Sequence, residues 1–242
     1  MPKEIIQQFF NFPHPVRMDK NNFIISSCNV TAFNIIQKWP EWQDFALCLY
    51  GPKGCGKTYL ANIFAQNVQE KTDGSLIASF MNASQIDMFS AEALFSQTKV
   101  LVIENFNESV PNESMFHLYN YYKDHGGYLL ILAEKSLSHM KFKIADLASR
   151  MHAVNAVEIL QPDDTMLSQL LEKLFEDRKI KNISPDVIKY AVSNMTRSYE
   201  YAENLVKEID DISLSNKRPI SIFIVKQAIE NLNNFFQSDF FT

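Results

Sequence analysis

The stretch GPKGCGKT, residues 51–58, matches the pattern G-x-x-x-x-G-K-[ST] at every position. That pattern describes a phosphate-holding loop. Gly51, Gly54 and Gly56 let the backbone turn so that successive N–H groups point inward, with Pro52, Lys53 and Cys55 in the variable places. The helix that starts here adds the partial positive charge of its N-terminus. Lys57 is placed to reach β- and γ-phosphates, the Thr58 hydroxyl is a candidate ligand for Mg²⁺, and Tyr59 follows in the first turn. An apolar strand before the motif and a helical pattern after it argue against a chance glycine-rich turn. ADP or ATP with Mg²⁺ is the expected ligand.

A second stretch, KVLVIEN (99–105), carries acidic chemistry to the end of an apolar run. A buried parallel strand has no room for polar side chains along its length, but its C-terminal edge opens on a ligand crevice. Glu104 is therefore a candidate Mg²⁺ ligand, acting through water. The next position is Asn105, where a second acid would polarise an attacking water. Asn can orient a water but cannot take its proton at neutral pH. The run YLLILAEK likewise reaches Leu132 and Ala133 before its first polar group, Glu134, so a side chain that senses a γ-phosphate is not evident. Together these positions suit firm nucleotide holding and slow turnover.

These residues need elements to position them. Strands are expected at FALCLY (45–50), SLIASF (75–80), KVLVIEN, YLLILA (128–133) and AVEIL (156–160), with the helical stretches TYLANIFAQNVQEK, SAEALFSQ and ESMFHLYNYYKDHGG between them. The alternation predicts an α/β fold, a parallel sheet with helices on both faces. Gly126-Gly127 is a helix stop. After Pro162 the pattern turns helical throughout. PDDTMLSQLLEKLFEDRK places Leu167, Leu170, Leu171 and Leu174 on one face, and SPDVIKYAVSNM, SYEYAENLVKEIDDISL and SIFIVKQAIENLNNF give three further helices. The expected organisation is an extended segment over 1–15, an αβ domain over 16–160 and a small all-α domain over 161–242.

Composition bounds the function. With 242 residues and 46% hydrophobic content the chain can bury a sizeable core. It has no run long enough for a membrane helix and no signal peptide pattern, so a cytoplasmic location without membrane contact is expected. Cys28, Cys48 and Cys55 fit neither a disulfide framework nor a zinc site and read as reduced thiols. A net charge of −5 gives no global field for polyanions, and strong direct DNA binding is not expected. His14, His117, His125, His139 and His152 are scattered without ligand spacing. YNYYK reads as a helix face packed on the sheet, because base stacking would need basic neighbours. The terminal FFQSDFF either folds back or serves a homodimer contact.

The phosphate loop followed by DLASRM (146–151) and four helices resembles the AAA+ module of the bacterial initiator DnaA. More closely, the chain resembles the short DnaA-related Hda family, called HdaA in alphaproteobacteria. FNFPHP, KWPEW, GPKGCGKTYLA, MFHLYNYYKDHGGYLLIL, IADLASRM and RSYEYAENLVKEID carry the likeness over nearly the whole chain. The resemblance implies a P-loop AAA+ domain with a helical lid. It also implies that Arg150, in DLASR, acts as an arginine finger on ATP held by a neighbouring subunit; alone, such an arginine would read as a surface ion pair. Arg197 in MTRSYEYAENL corresponds to a second sensor arginine facing the bound nucleotide's phosphates. QQFFNF (7–12) occupies the place of a peptide that binds the sliding clamp of DNA polymerase III, its β subunit. There Gln7 would hydrogen-bond and Phe10, Phe12 and Phe9 would fill the apolar pocket.

The initiator's helix-turn-helix and helicase-interaction regions are expected to be absent, so the resemblance implies a regulator rather than an initiator. Its expected activity is to bind nucleotide, dock on the clamp and stimulate hydrolysis of DnaA-bound ATP, which restrains replication initiation. A self-assembling AAA+ ATPase such as a helicase loader is the alternative, and a small-molecule P-loop kinase a more distant one.

Overall fold

Five apolar runs pair as parallel strands: β1 (Ala46–Tyr50), β2 (Ala78–Asn82), β3 (Val100–Phe106), β4 (Tyr128–Ala133) and β5 (Asn155–Glu158), in the order β2-β3-β4-β1-β5. The structure is a computed structural model and describes Lys20 and residues 23–238, with side chains as far as residue 234. Helix α1 (Val30–Gln37) precedes β1, and α2 (Lys57–Lys71), α3 (Ala91–Gln97), α4 (Asn112–Asp124) and α5 (Ala145–Ala153) alternate with the strands. The chain divides into two compact units. The first is formed by described residues up to Pro52 with Gly56–Leu160, and the second by Lys53–Cys55 with the described residues from Gln161 onward.

Both faces of the sheet are buried, which is why its central strands read as continuous apolar runs rather than alternating ones. Cys48, Leu101, Ile103, Leu129 and Ile131 share one core with Met115, Leu118, Tyr119 and Tyr122 of α4 and Leu147 and Met151 of α5. The neighbouring positions Leu47, Leu49, Val102 and Leu130 are buried as well, and α2 with Leu60, Ile63 and Phe64 packs beside β2 and β4. Trp39 closes this layer edge-on against Phe64, with ring centroids 6.1 Å apart.

Two strands lie a few residues from where the sequence pattern put them. In β2 the start moves from Ser75 to Ala78, because Thr72 ends α2 with a turn: its carbonyl accepts from the Ser75 N–H at 2.9 Å and its hydroxyl from the Leu76 N–H at 3.1 Å. In β5 pairing stops at Glu158, since the Leu160 N–H leaves the sheet to donate to the Cys28 carbonyl at 3.0 Å.

The second unit is a packed set of four helices, α6 (Asp164–Asp177), α7 (Pro185–Asn194), α8 (Tyr199–Asn216) and α9 (Ile222–Ser238). Three begin with a side-chain cap: Asp163 accepts from the Met166 N–H, Ser184 from Asp186 and Ser198 from Tyr201. Each such cap is worth about 1 kcal/mol. Leu167, Leu170 and Leu171 form the buried face of α6, and Phe175 rather than the half-buried Leu174 completes it. Among the described residues, no helix is long and apolar enough to cross a membrane.

Candidate functional site

The loop after β1 carries the first set of candidate residues. Gly54 at φ 74° and Gly56 at φ 100° adopt the left-handed backbone that L side chains disfavour. Gly56 is the N-cap of α2 and brings no side chain to the first-turn N–H groups, for which an anion is a natural partner. The Gly51 N–H donates to the Ala133 carbonyl at 3.2 Å, tying the loop to the end of β4. The Lys57 ammonium donates to the carbonyls of Gly51 at 2.8 Å and Pro52 at 2.9 Å, so it lies within the curve of the loop. Within the second unit, the Tyr199 N–H donates to the Gly54 carbonyl at 3.3 Å, and a Cβ on Gly54 would stand 2.3 Å from that of Ser198. Glycine at 54 is thus required by the backbone angle and by that approach. The Tyr59 ring is buried against Phe23 with centroids 5.0 Å apart, so its contribution to the loop is its backbone N–H.

Thr58 and Glu104 lie together in the structure. Although 46 residues apart, the Thr58 hydroxyl donates to Glu104 Oε1 at 3.3 Å, because the first turn of α2 and the end of β3 converge at one sheet edge. A hydroxyl and a carboxylate are hard oxygen donors of the kind Mg²⁺ takes sparingly from protein, so these two residues fit that ion. Mg²⁺ bound there would neutralise charge on β- and γ-phosphate oxygens. Beneath the loop, burial pushes the Cys48 thiol up to about 12, with the charge of Lys57 acting in the opposite direction. The thiol is thus a neutral packing group.

Asn105 has a backbone role that the sequence pattern did not show. Pairing runs from Ile103 with Ile131 to Phe106 with Ala133, so β3 uses one more residue than β4 over that interval. Asn105 takes up the irregularity at φ 55° with its side chain exposed. Asn enters this region at lower cost than most residues with a Cβ. Leu132 and Ala133 are buried at the end of β4, and the polar chain resumes at the exposed Glu134.

Arg150 lies in the last turn of α5 and is partly exposed. Its Nε donates to Asn120 Oδ1 at 2.8 Å, its Nη1 donates to the Asp146 carbonyl at 3.1 Å, and the guanidinium carbon stands 4.5 Å from the centre of the Phe116 ring. Phe116 and Asn120 were not singled out in the sequence, yet they lie four residues apart on α4 and so share a helix face. In the second unit, Arg197 precedes the Ser198 cap; its Nη1 donates to the Pro162 carbonyl at 3.3 Å and its Nη2 is paired with Asp164. Gln7, Phe9, Phe10 and Phe12 lie outside the described residues.

Comparison with known proteins agrees with this geometry at the level of class. A sequence model of the ATPase family associated with various cellular activities (AAA) matches residues 47–125, which run from β1 to the end of α4. Residues 47–125 thus resemble an AAA ATPase domain, and the chain is similar in sequence to part of DnaA. It is 24% identical over 237 residues to the chromosomal replication initiator protein DnaA of Onion yellows phytoplasma, covering 88% of this chain and 46% of that protein. The chain spans about half the length of the curated relatives it matches. Among solved structures it is similar to domain III of Thermotoga maritima DnaA, with a TM-score of 0.75 at 14% identity, covering 91% of this chain and 98% of that one. It is also similar to AMPPCP-bound DnaA from Aquifex aeolicus, with a TM-score of 0.67 at 17% identity, covering 83% and 67% of the two chains. The five-stranded parallel sheet with its helical C-terminal segment is thus the AAA+ P-loop fold of DnaA domain III.

Proposed function

We propose that this chain is an Hda-type regulator of the initiator DnaA: it holds ADP or ATP with Mg²⁺ and offers Arg150 to ATP bound on DnaA. Its own nucleotide would be held by Gly51 to Tyr59, with Arg197 as a further phosphate contact and Thr58 and Glu104 as Mg²⁺ ligands. QQFFNF would dock on the sliding clamp, Gln7 by hydrogen bonding and Phe9, Phe10 and Phe12 by filling an apolar pocket. Hydrolysis of DnaA-bound ATP would leave an inactive ADP form and restrain further initiation.

The observation that carries this reading is the state of Arg150. The side chain is partly exposed and supported on one side by Phe116 and Asn120, while among the described residues three of its guanidinium N–H groups have no partner and are open to an anion. A guanidinium directed at a γ-phosphate stabilises transition-state charge and accelerates hydrolysis by roughly 10³ to 10⁵. Asn105 supports the same division of labour, since it cannot serve as the base for hydrolysis at the chain's own loop. The test is the rate of ATP hydrolysis by DnaA with DNA-loaded clamps, with and without this protein. Stimulation that requires the clamp supports the proposal, and an unchanged rate contradicts it.

A second reading is favoured by the Thr58–Glu104 pair, which is assembled as intrinsic ATP chemistry would need. On that reading the chain is a self-assembling AAA+ ATPase, such as a helicase loader. It requires steady turnover by the protein alone.

A further inference from the structure

We infer that Asn120, with Phe116 beneath, is the positioning residue for Arg150, and that it sets the maximum rate at which this chain stimulates hydrolysis on a partner subunit. The inference rests on the arginine-finger reading above and concerns how the finger is aimed. Arginine carries five N–H donors in a planar fork on a stem with high rotamer entropy. An arginine loose on a helix surface would have to be ordered each time it met a phosphate, at a cost of about 0.5–1.5 kcal/mol. Here the ordering is already done from the protein side. Asn120 takes the Nε–H at 2.8 Å, the Asp146 carbonyl takes one Nη1 hydrogen at 3.1 Å, and the Phe116 ring supports the guanidinium at 4.5 Å. Among the described residues two of the five donors are used, one toward α4 and one toward the first turn of α5. The second Nη1 hydrogen and both Nη2 hydrogens remain, and these are the outer donors of the fork.

The chemistry of the partners fits positioning better than pairing. Asn120 accepts through a neutral amide oxygen, which fixes the Nε edge without cancelling the positive charge. A carboxylate at the same place would hold the arginine as firmly but spend its charge locally. The Phe116 face attracts the cation through its quadrupole and likewise leaves the net charge intact. Their spacing on α4 makes the two supports act as one rigid surface, and α4 is anchored in the core through Met115, Leu118, Tyr119 and Tyr122.

The experiment compares wild type, Asn120→Ala, Asn120→Asp, Phe116→Leu and Arg150→Ala in the full chain. Each is titrated into a DnaA-ATP hydrolysis assay with DNA-loaded clamps, and the Arg150 Nε–H is followed by ¹⁵N NMR. For Asn120→Ala the maximum stimulated rate is expected to fall about tenfold, with the half-saturating concentration and thermal midpoint unchanged and the Nε–H signal exchanging faster. Phe116→Leu should lower the maximum less. Asn120→Asp should restore the slow-exchanging Nε–H but not the rate, because the arginine is held and neutralised. A maximum rate in Asn120→Ala equal to wild type, while Arg150→Ala has lost stimulation, overturns the positioning role alone. Full stimulation by Arg150→Ala overturns the finger reading and the role given to Asn120 with it. A slow Nε–H in Asn120→Ala shows Arg150 ordered without Asn120 and also overturns the inference.

Discussion

Asn105 sits at φ 55° where β3 runs one residue ahead of β4. Two features therefore meet at this position, a left-handed backbone that Asn and Asp tolerate and, on the proposed reading, a place where an acid would activate water. Substitutions separate them. Asn105→Asp keeps the backbone preference and adds a base, so its urea midpoint should match wild type; on the proposed function, its own ATP turnover should rise from a slow level and stimulation of DnaA should stay intact. A loss of DnaA stimulation with no gain in turnover would contradict this. Asn105→Val adds a branched Cβ in a region it avoids and should destabilise the fold by roughly 1–2 kcal/mol in a urea melt. Stability equal to wild type would count against the left-handed assignment. The GPKGCGKT loop was legible as a motif and Glu104 as the first polar residue at the end of an apolar strand, and the structure brings the Thr58 hydroxyl to that carboxylate. The supports of Arg150 were harder to see, since Asn120 lies 30 residues from it and the pairing depends on how α4 and α5 pack.

At the scale of elements, the sheet edge gathers the chemistry because β1 and β3 flank β4, and their C-terminal ends carry the loop and Glu104. That strands and helices alternate was plain from the apolar runs, and YLLILA is β4 to the residue. The ends of β2 and β5 were not, because the Thr72 turn and the bond from Leu160 to Cys28 are tertiary events that no local pattern records. Burial of β1 also makes a pH prediction. The folded pKa of Cys48 is raised from 9.0 to about 12, so the thiol is neutral in both states below about pH 9 and stability there is unaffected by it. Above the unfolded value the unfolded chain loses the proton and the folded one retains it, so stability falls as pH rises from 9.0 towards about 12. Urea melts of wild type and Cys48→Ala over that interval should show a steeper loss for wild type. Parallel curves would contradict the burial of this thiol.

For the whole molecule, the two functional readings differ in where turnover occurs. A self-contained ATPase hydrolyses ATP alone and faster as its concentration rises through self-assembly, whereas a regulator of DnaA binds nucleotide and turns it over slowly at any concentration. Steady-state hydrolysis by the purified chain, measured against its own concentration, is expected to be slow and proportional. A cooperative rise would favour the self-assembling reading. The match to the AAA family model over 47–125 and the sequence similarity to DnaA are compatible with either outcome. The most direct measurement is therefore single-turnover hydrolysis of ATP prebound to DnaA, with DNA-loaded clamps, in the presence of wild type or Arg150→Ala. The account predicts acceleration by wild type and, for a folded Arg150→Ala chain that still binds the clamp, a return to the rate of DnaA alone; equal acceleration by the two would contradict it.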